Sequence, residues 1–164
     1  MKVAGVVLAT ALALALQTTL TGTGAVDFVL VVVVYVALTS GPVTGLLTGT
    51  LAGLVQDALA SGVIGIGGLA KTIVGFLAGI IGTQFIVAQP LPRLVVFFAA
   101  TLLHAVVFHG LYLVLNLRQF GSAYAAIAGQ ALGNALVGVV TFQVVELLPG
   151  VVERRRAAKH RLRR

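Results

Sequence analysis

Seven of the eleven Lys and Arg residues of this 164-residue sequence stand in its last eleven positions, and the long stretch before them is almost free of charge. That distribution restricts the fold more than any motif does. With 59% hydrophobic and only 9% charged residues, the chain lacks the polar side chains needed to coat a globular domain in water. Its solvent is lipid. A helix needs about 20 apolar residues to cross the hydrocarbon core, so about six or seven spans fill the chain and leave no room for a separate soluble domain. The net charge of +7 describes a tail and not the domain, which argues against nucleic acid as a partner. The absence of cysteine removes disulfides, thiolate metal sites and cysteine nucleophiles, and leaves the redox compartment unreadable.

Apolar runs and their punctuation predict an all-α bundle of six transmembrane helices. Lys2 followed by Val3 to Leu16, with Ala13-Leu14-Ala15 as a cleavage-like sequence, also fits a signal peptide; the reading adopted is a first span from Val3 to Leu20. Thr21 to Gly24 make a turn, and a short second span runs from Val26 to Leu38. Pro42 opens the third, which ends near Ala60, because proline suits a first turn whose amide has no partner anyway. Four glycines between Ser61 and Gly68 form the next turn, and the fourth span runs from Gly68 to Val87, closed by Pro90 and Pro92. The fifth covers Arg93 to Leu117 and the sixth Ser122 to Leu148, stopped by Pro149-Gly150. Residues 1–150 form the membrane domain and residues 151–164 a basic cytoplasmic tail. Placing both termini inside puts nine basic residues there (Lys2, Arg93 and the seven of the tail) against Lys71 and Arg118 outside, which predicts N-in, C-in.

Gly41, Gly45, Gly49 and Gly53 recur at every fourth position, with Asp57 on the same ridge, and Gly67, Lys71, Gly75 and Gly79 form a matching ridge in the next span. Small residues at this spacing let helix backbones approach closely in lipid. Ionisable residues inside a span mark function by default, so Asp57 and Lys71 are expected to pair at the outer end of this hairpin. The rival arrangement has Asp57 capping the glycine-rich turn while Lys71 snorkels to the headgroups. Gln130, Asn134 and Thr141 lie within about 40° of one another on a helical wheel and form a stripe facing the bundle interior. His104 and His109, separated by about 140°, cannot share a metal and read as structural. Glu146 reads as an interface anchor or a partner of the tail. Arg154, Arg155, Arg156, Lys159, Arg161, Arg163 and Arg164 would anchor the tail to an anionic leaflet, each worth about 1 kcal/mol. There is no phosphate loop, no metal-binding His-Glu helix and no Ser-His-acid grouping, and four acidic residues leave little material for acid-base chemistry. The chain reads as no enzyme, with no cofactor and no metal.

The segments Asp27-Phe28-Val29-Leu30 to Tyr35-Val36-Ala37-Leu38, Gly45-Leu46-Leu47 to Gly53-Leu54-Val55-Gln56-Asp57-Ala58-Leu59-Ala60-Ser61-Gly62, and Gly75-Phe76-Leu77-Ala78-Gly79 resemble the bacterial rod shape-determining protein MreD family. The chain departs from that family at Val26, where Pro is common, and at Thr39 to Pro42, where a basic residue is common. The resemblance implies a non-enzymatic, multi-pass subunit of the cell-elongation complex in the bacterial cytoplasmic (inner) membrane. It also implies binding to the single-span periplasmic scaffold MreC, possible contact with other elongation-complex proteins, and support of lateral peptidoglycan synthesis and cell shape. The family in turn resembles the membrane substrate-binding subunits of energy-coupling-factor transporters, so a vitamin-like small-molecule binding subunit is the alternative. Asp57, Lys71, Gly49, Gly53, Gly75, Gly79, Gln130 and Asn134 are the candidate partner-contacting or pocket-lining residues.

Overall fold

The computed structural model describes residues 3–20, 25–60, 63–85, 89–117 and 124–161, and the side chains of these up to Leu147. Among them are six helices: α1 (Val3–Thr19), α2 (Phe28–Ser40), α3 (Pro42–Leu59), α4 (Ile66–Gln84), α5 (Pro90–Val114) and α6 (Tyr124–Arg161). Three segments are long and apolar enough to cross a membrane: α4, α5 and Tyr124–Leu147 of α6. The apolar helices α1 and α2 are shorter, with 17 and 13 residues. α3 has 18 residues but is diluted by Gly45, Gly49, Gly53, three threonines, Gln56 and Asp57. The expected turns at 21–24 and 61–62, Lys2, Val87, the 118–122 segment with Arg118, and Arg163 and Arg164 lie outside the described residues.

α2 occupies the centre. Val29, Leu30, Val31 and every residue from Val33 to Ala37 are buried, because a helix that is apolar all round is stable only when it is surrounded by other helices. Its 13 residues measure about 20 Å, less than the about 30 Å of a hydrocarbon core, so its ends fall in apolar surroundings where their unpaired backbone groups need partners from the protein.

Packing of α3 on α4 follows the glycine ridges. A Cβ placed on Gly49 would strike the Lys71 carbonyl, one on Gly53 would lie 2.5 Å from Gly68 Cα, and Gly45 and Gly75 would each strike the other's carbonyl. The two helices are therefore antiparallel with their backbones in contact, and the hydroxyls of Thr50 and Thr72 meet across the seam at 2.7 Å. The hairpin closes through Gly65, whose φ of 107° lies in the left-handed region that suits glycine.

α5 and α6 are also antiparallel, held at three heights. Arg93 faces Glu146, the Phe97 ring fills the space beside Gly138, and Thr101 meets Asn134. Two sequence expectations change here. Glu146 pairs with Arg93 through two hydrogen bonds, 3.0 and 2.5 Å, a partner the sequence reading did not name. The last helix does not stop at Pro149-Gly150 but runs on to Arg161. Proline withholds one amide from the turn before it, but the Glu, Arg, Ala and Lys residues that follow are strong helix formers and carry the helix onward.

Candidate functional site

The start of α2 lies inside the bundle, and its amides are met by side chains from three directions. Asp27, 5% exposed, caps its own helix: Leu30 N–H donates to Asp27 Oδ1 at 2.9 Å. The Phe28 amide donates to Gln17 Oε1 on α1 at 2.9 Å, and the Asp27 amide to Asn134 Oδ1 on α6 at 2.8 Å. Asn134 is itself fixed from α5, since its Nδ2 donates to Thr101 Oγ1 at 3.1 Å and that hydroxyl donates to the Phe97 carbonyl at 2.9 Å.

The second oxygen of Asp27 takes a cation. Lys71 Nζ lies 2.8 Å from Asp27 Oδ2, with the two side chains only 4% and 8% exposed. Lys71 Nζ also stands 3.2 Å from His104 Nε2, and because an ammonium can only donate, this contact assigns the imidazole proton to Nδ1. The His104 ring stacks on Phe108 of the same helix, centroids 5.7 Å apart. One buried cluster, Asp27, Lys71, His104, Asn134 and Thr101, thus joins α2, α4, α5 and α6 at a single level.

The opposite end of α5 carries a second charged group. The Arg93 guanidinium lies 4.3 Å above the Phe142 ring and forms the fork with Glu146, whose side chain is 56% exposed. Tyr35 packs on the same Phe142, so this end also ties α2 to the α5–α6 pair.

The expected Asp57–Lys71 ion pair is not formed. Asp57 Oδ2 instead accepts the amides of Gly65 at 2.9 Å and Gly68 at 3.1 Å, the capping arrangement. Lys71 does not snorkel either; it is 3% exposed. Depth explains both outcomes. The carboxylate answers the first amides of α4, which no helical carbonyl reaches, while Lys71 lies three residues beyond Gly68, about 4.5 Å deeper, at the level of Asp27. Replacing Asp57 by alanine should lower the stability of the detergent-solubilised protein by about 1 kcal/mol, with Asp57→Asn losing less because one acceptor remains. Thermal unfolding of the two variants checks this order.

The other candidates divide between two tasks. Gly49, Gly53, Gly75 and Gly79 are consumed by helix packing, and Asn134 belongs to the cluster. Gln130 is half-buried, and the Thr141 hydroxyl donates to its own helix at Val137 O, 2.7 Å away. His109 Nδ1 bonds the Ala105 carbonyl of its own helix at 2.7 Å, the structural role expected of it, whereas His104 joins the cluster. Asp27, Gln17 and Thr101 were not singled out from the sequence. For Asp27 the signal is present: an aspartate directly before an uninterrupted apolar run is a helix N-cap. Among the described residues no group of three or more His, Cys, Asp or Glu side chains could hold a metal ion.

Residues 3–150, the span from α1 into the extension of α6, match the family of the rod shape-determining protein MreD. The chain belongs to the MreD family. No curated protein and no solved structure matches it. MreD membership places the protein in rod-shape determination, as a membrane component of the shape-determining machinery. Among the described residues of this MreD chain, the two ion pairs Lys71–Asp27 and Arg93–Glu146 each connect one helix to another.

Proposed function

We propose that this MreD-family protein is a non-catalytic, six-span subunit of the cell-elongation complex in the bacterial cytoplasmic membrane, with both termini inside. It binds the single-span scaffold MreC and supports lateral peptidoglycan synthesis. The observation that carries the reading is the family match, which covers the whole bundle and not one helix pair. Internal pairing of the charges agrees with a rigid platform, because polar side chains that satisfy one another are not spent on a substrate. In this reading the extension of α6 to Arg161 leads into the cytoplasm, where the basic tail would meet anionic lipid.

The transport alternative needs a pocket with polar groups to orient a vitamin-like ligand. The groove between α4 and α5, about 400 Å3, is lined only by Val, Leu, Ile and Ala. This groove among the described residues offers no such polar group.

Native complexes isolated through a tag on this chain should contain MreC from the same organism. Recovery of ATPase subunits with a bound small molecule in its place would overturn the reading in favour of transport. Tags at either terminus should be protected from a protease added at the periplasmic face, and cleavage of one alone would rule out an even number of spans.

A further inference from the structure

α4 and α5 belong to different tight pairs. The glycine face of α4 is spent on α3, and α5 is held to α6 by the Phe97 ring against Gly138. Where the two pairs meet, the side chains are small: Ala78 of α4 and Ala99 and Ala100 of α5 leave the apolar groove of about 400 Å3, rimmed by Leu77 and Val95. Its lining runs from Val74 to Ile81 on α4 and from Val95 to Leu103 on α5, about 10 to 12 Å at the helical rise. That is close to the depth of one leaflet, half of a hydrocarbon core of about 30 Å. The deep end stops at the buried cluster, where Leu103 adjoins His104 and Val74 stands one turn from Lys71, both already engaged with each other. The other end lies near the close of α4 at Gln84 and the start of α5 at Pro90.

Both walls are helices long and apolar enough to cross a membrane, so the groove faces hydrocarbon. Water finds no polar partner there, and an empty groove forfeits the dispersion contacts of its lining. A lipid chain supplies them. A helix cannot, because with a diameter of about 10 Å it would rest on the rim and leave the floor at Ala78 and Ala100 uncovered. The mouth also lies at the basic end of the bundle. Arg93 and Glu146 mark that end, and α6 continues past Glu146 to Arg161 through a stretch that holds Arg154, Arg155, Arg156 and Lys159. We propose that the groove holds one acyl chain of an anionic phospholipid, with the headgroup at this basic end. Electrostatic attraction selects the headgroup, and apolar burial fixes the chain. The site is independent of which partner protein is bound.

The sequence contains no tryptophan, so a single introduced one reports on its lipid neighbours without background. Val95→Trp places it on the rim of the groove, and Val144→Trp places it at the same depth on α6, since Arg93 faces Glu146; both positions are exposed. Quenching of the full-length protein in phosphatidylcholine bilayers is compared for dibrominated phosphatidylglycerol and dibrominated phosphatidylcholine. At Val95→Trp the anionic lipid should be preferred by about fivefold, the effect of one basic contact near a headgroup, and at Val144→Trp hardly at all. Ala99→Leu, which fills the groove, should abolish the preference at Val95→Trp, and Arg154→Gln/Arg155→Gln/Arg156→Gln should at least halve it. Equal preference at the two tryptophans means that the basic end gathers anionic lipid without a site, and overturns the proposal. A preference that survives Ala99→Leu or the triple substitution overturns it as well. If Ala99→Leu yields no folded protein, the comparison of the two tryptophans decides alone.

Discussion

Lys71→Met should destabilise the folded bundle by about 3 to 5 kcal/mol, the range for removing one partner of a buried ion pair. The Asp27 carboxylate would then face an apolar interior with its Oδ1 still engaged by the Leu30 amide and its Oδ2 without a cation. Adding Asp27→Asn should recover much of the loss. Asparagine keeps an acceptor for the Leu30 amide, and replacing both charges by groups of similar volume removes the desolvation penalty together with the attraction. Recovery stays incomplete, because His104 Nε2 loses its donor as well, and an unmatched buried acceptor costs about 1 to 3 kcal/mol. The expected order of thermal midpoints in detergent is therefore unsubstituted protein, double variant, Lys71→Met. A double variant less stable than Lys71→Met would show that the pair does not act as a unit. If the double variant folds but fails to restore rod shape in cells lacking the protein, the charges serve function beyond stability.

The helices and the α3–α4 hairpin were legible in the sequence, and the rotation and depth of the remaining helices were not. Val26 to Leu38 reads as a short apolar span, Pro42 marks a first turn, and the ridges through Gly45 and Gly75 predict close helix packing, whereas Pro90, read as closing the fourth span, is the first residue of α5. Each of these signals is local. The partner of Lys71 depends on the rotation and depth of three helices at once, and Asp27 stands 44 positions away in the chain while Asp57 stands only 14 away. Proximity in sequence favoured Asp57, and the amides at the start of α4 had already claimed it. Glu146 reads as an interface anchor or a partner of the tail for a similar reason, since the antiparallel α5–α6 register that brings it to Arg93 is not visible in the sequence. The continuation of α6 beyond Pro149 reflects helix propensity outweighing a breaker, which single-residue rules do not weigh.

Gly49→Ala should lower stability by about 1 to 3 kcal/mol, although it adds a single carbon to a helix. In water-exposed helices the same change is favourable, because alanine restricts the unfolded chain and suits helical φ and ψ. Here the added Cβ falls on the Lys71 carbonyl, 2.7 Å from its carbon and 3.0 Å from the Thr72 nitrogen. Backbone atoms within a helix cannot swing aside as a side chain can, so α3 and α4 must separate. That separation pulls Lys71 away from Asp27 and spreads the damage to the charged cluster. Gly110→Ala and Gly129→Ala are the controls, since a Cβ at either position meets nothing within 4 Å; both should be neutral or stabilising by up to about 1 kcal/mol. Gly45 and Gly75 extend the argument. Each strikes the other's carbonyl, so once either alanine has moved the helices apart the second should add little. The Gly45→Ala/Gly75→Ala pair should therefore fall well short of the sum of its singles, while Gly49→Ala combined with Gly129→Ala should be additive. Thermal unfolding of this set reads the coupling directly, and additivity in both pairs would mean that α3 and α4 do not meet through their backbones.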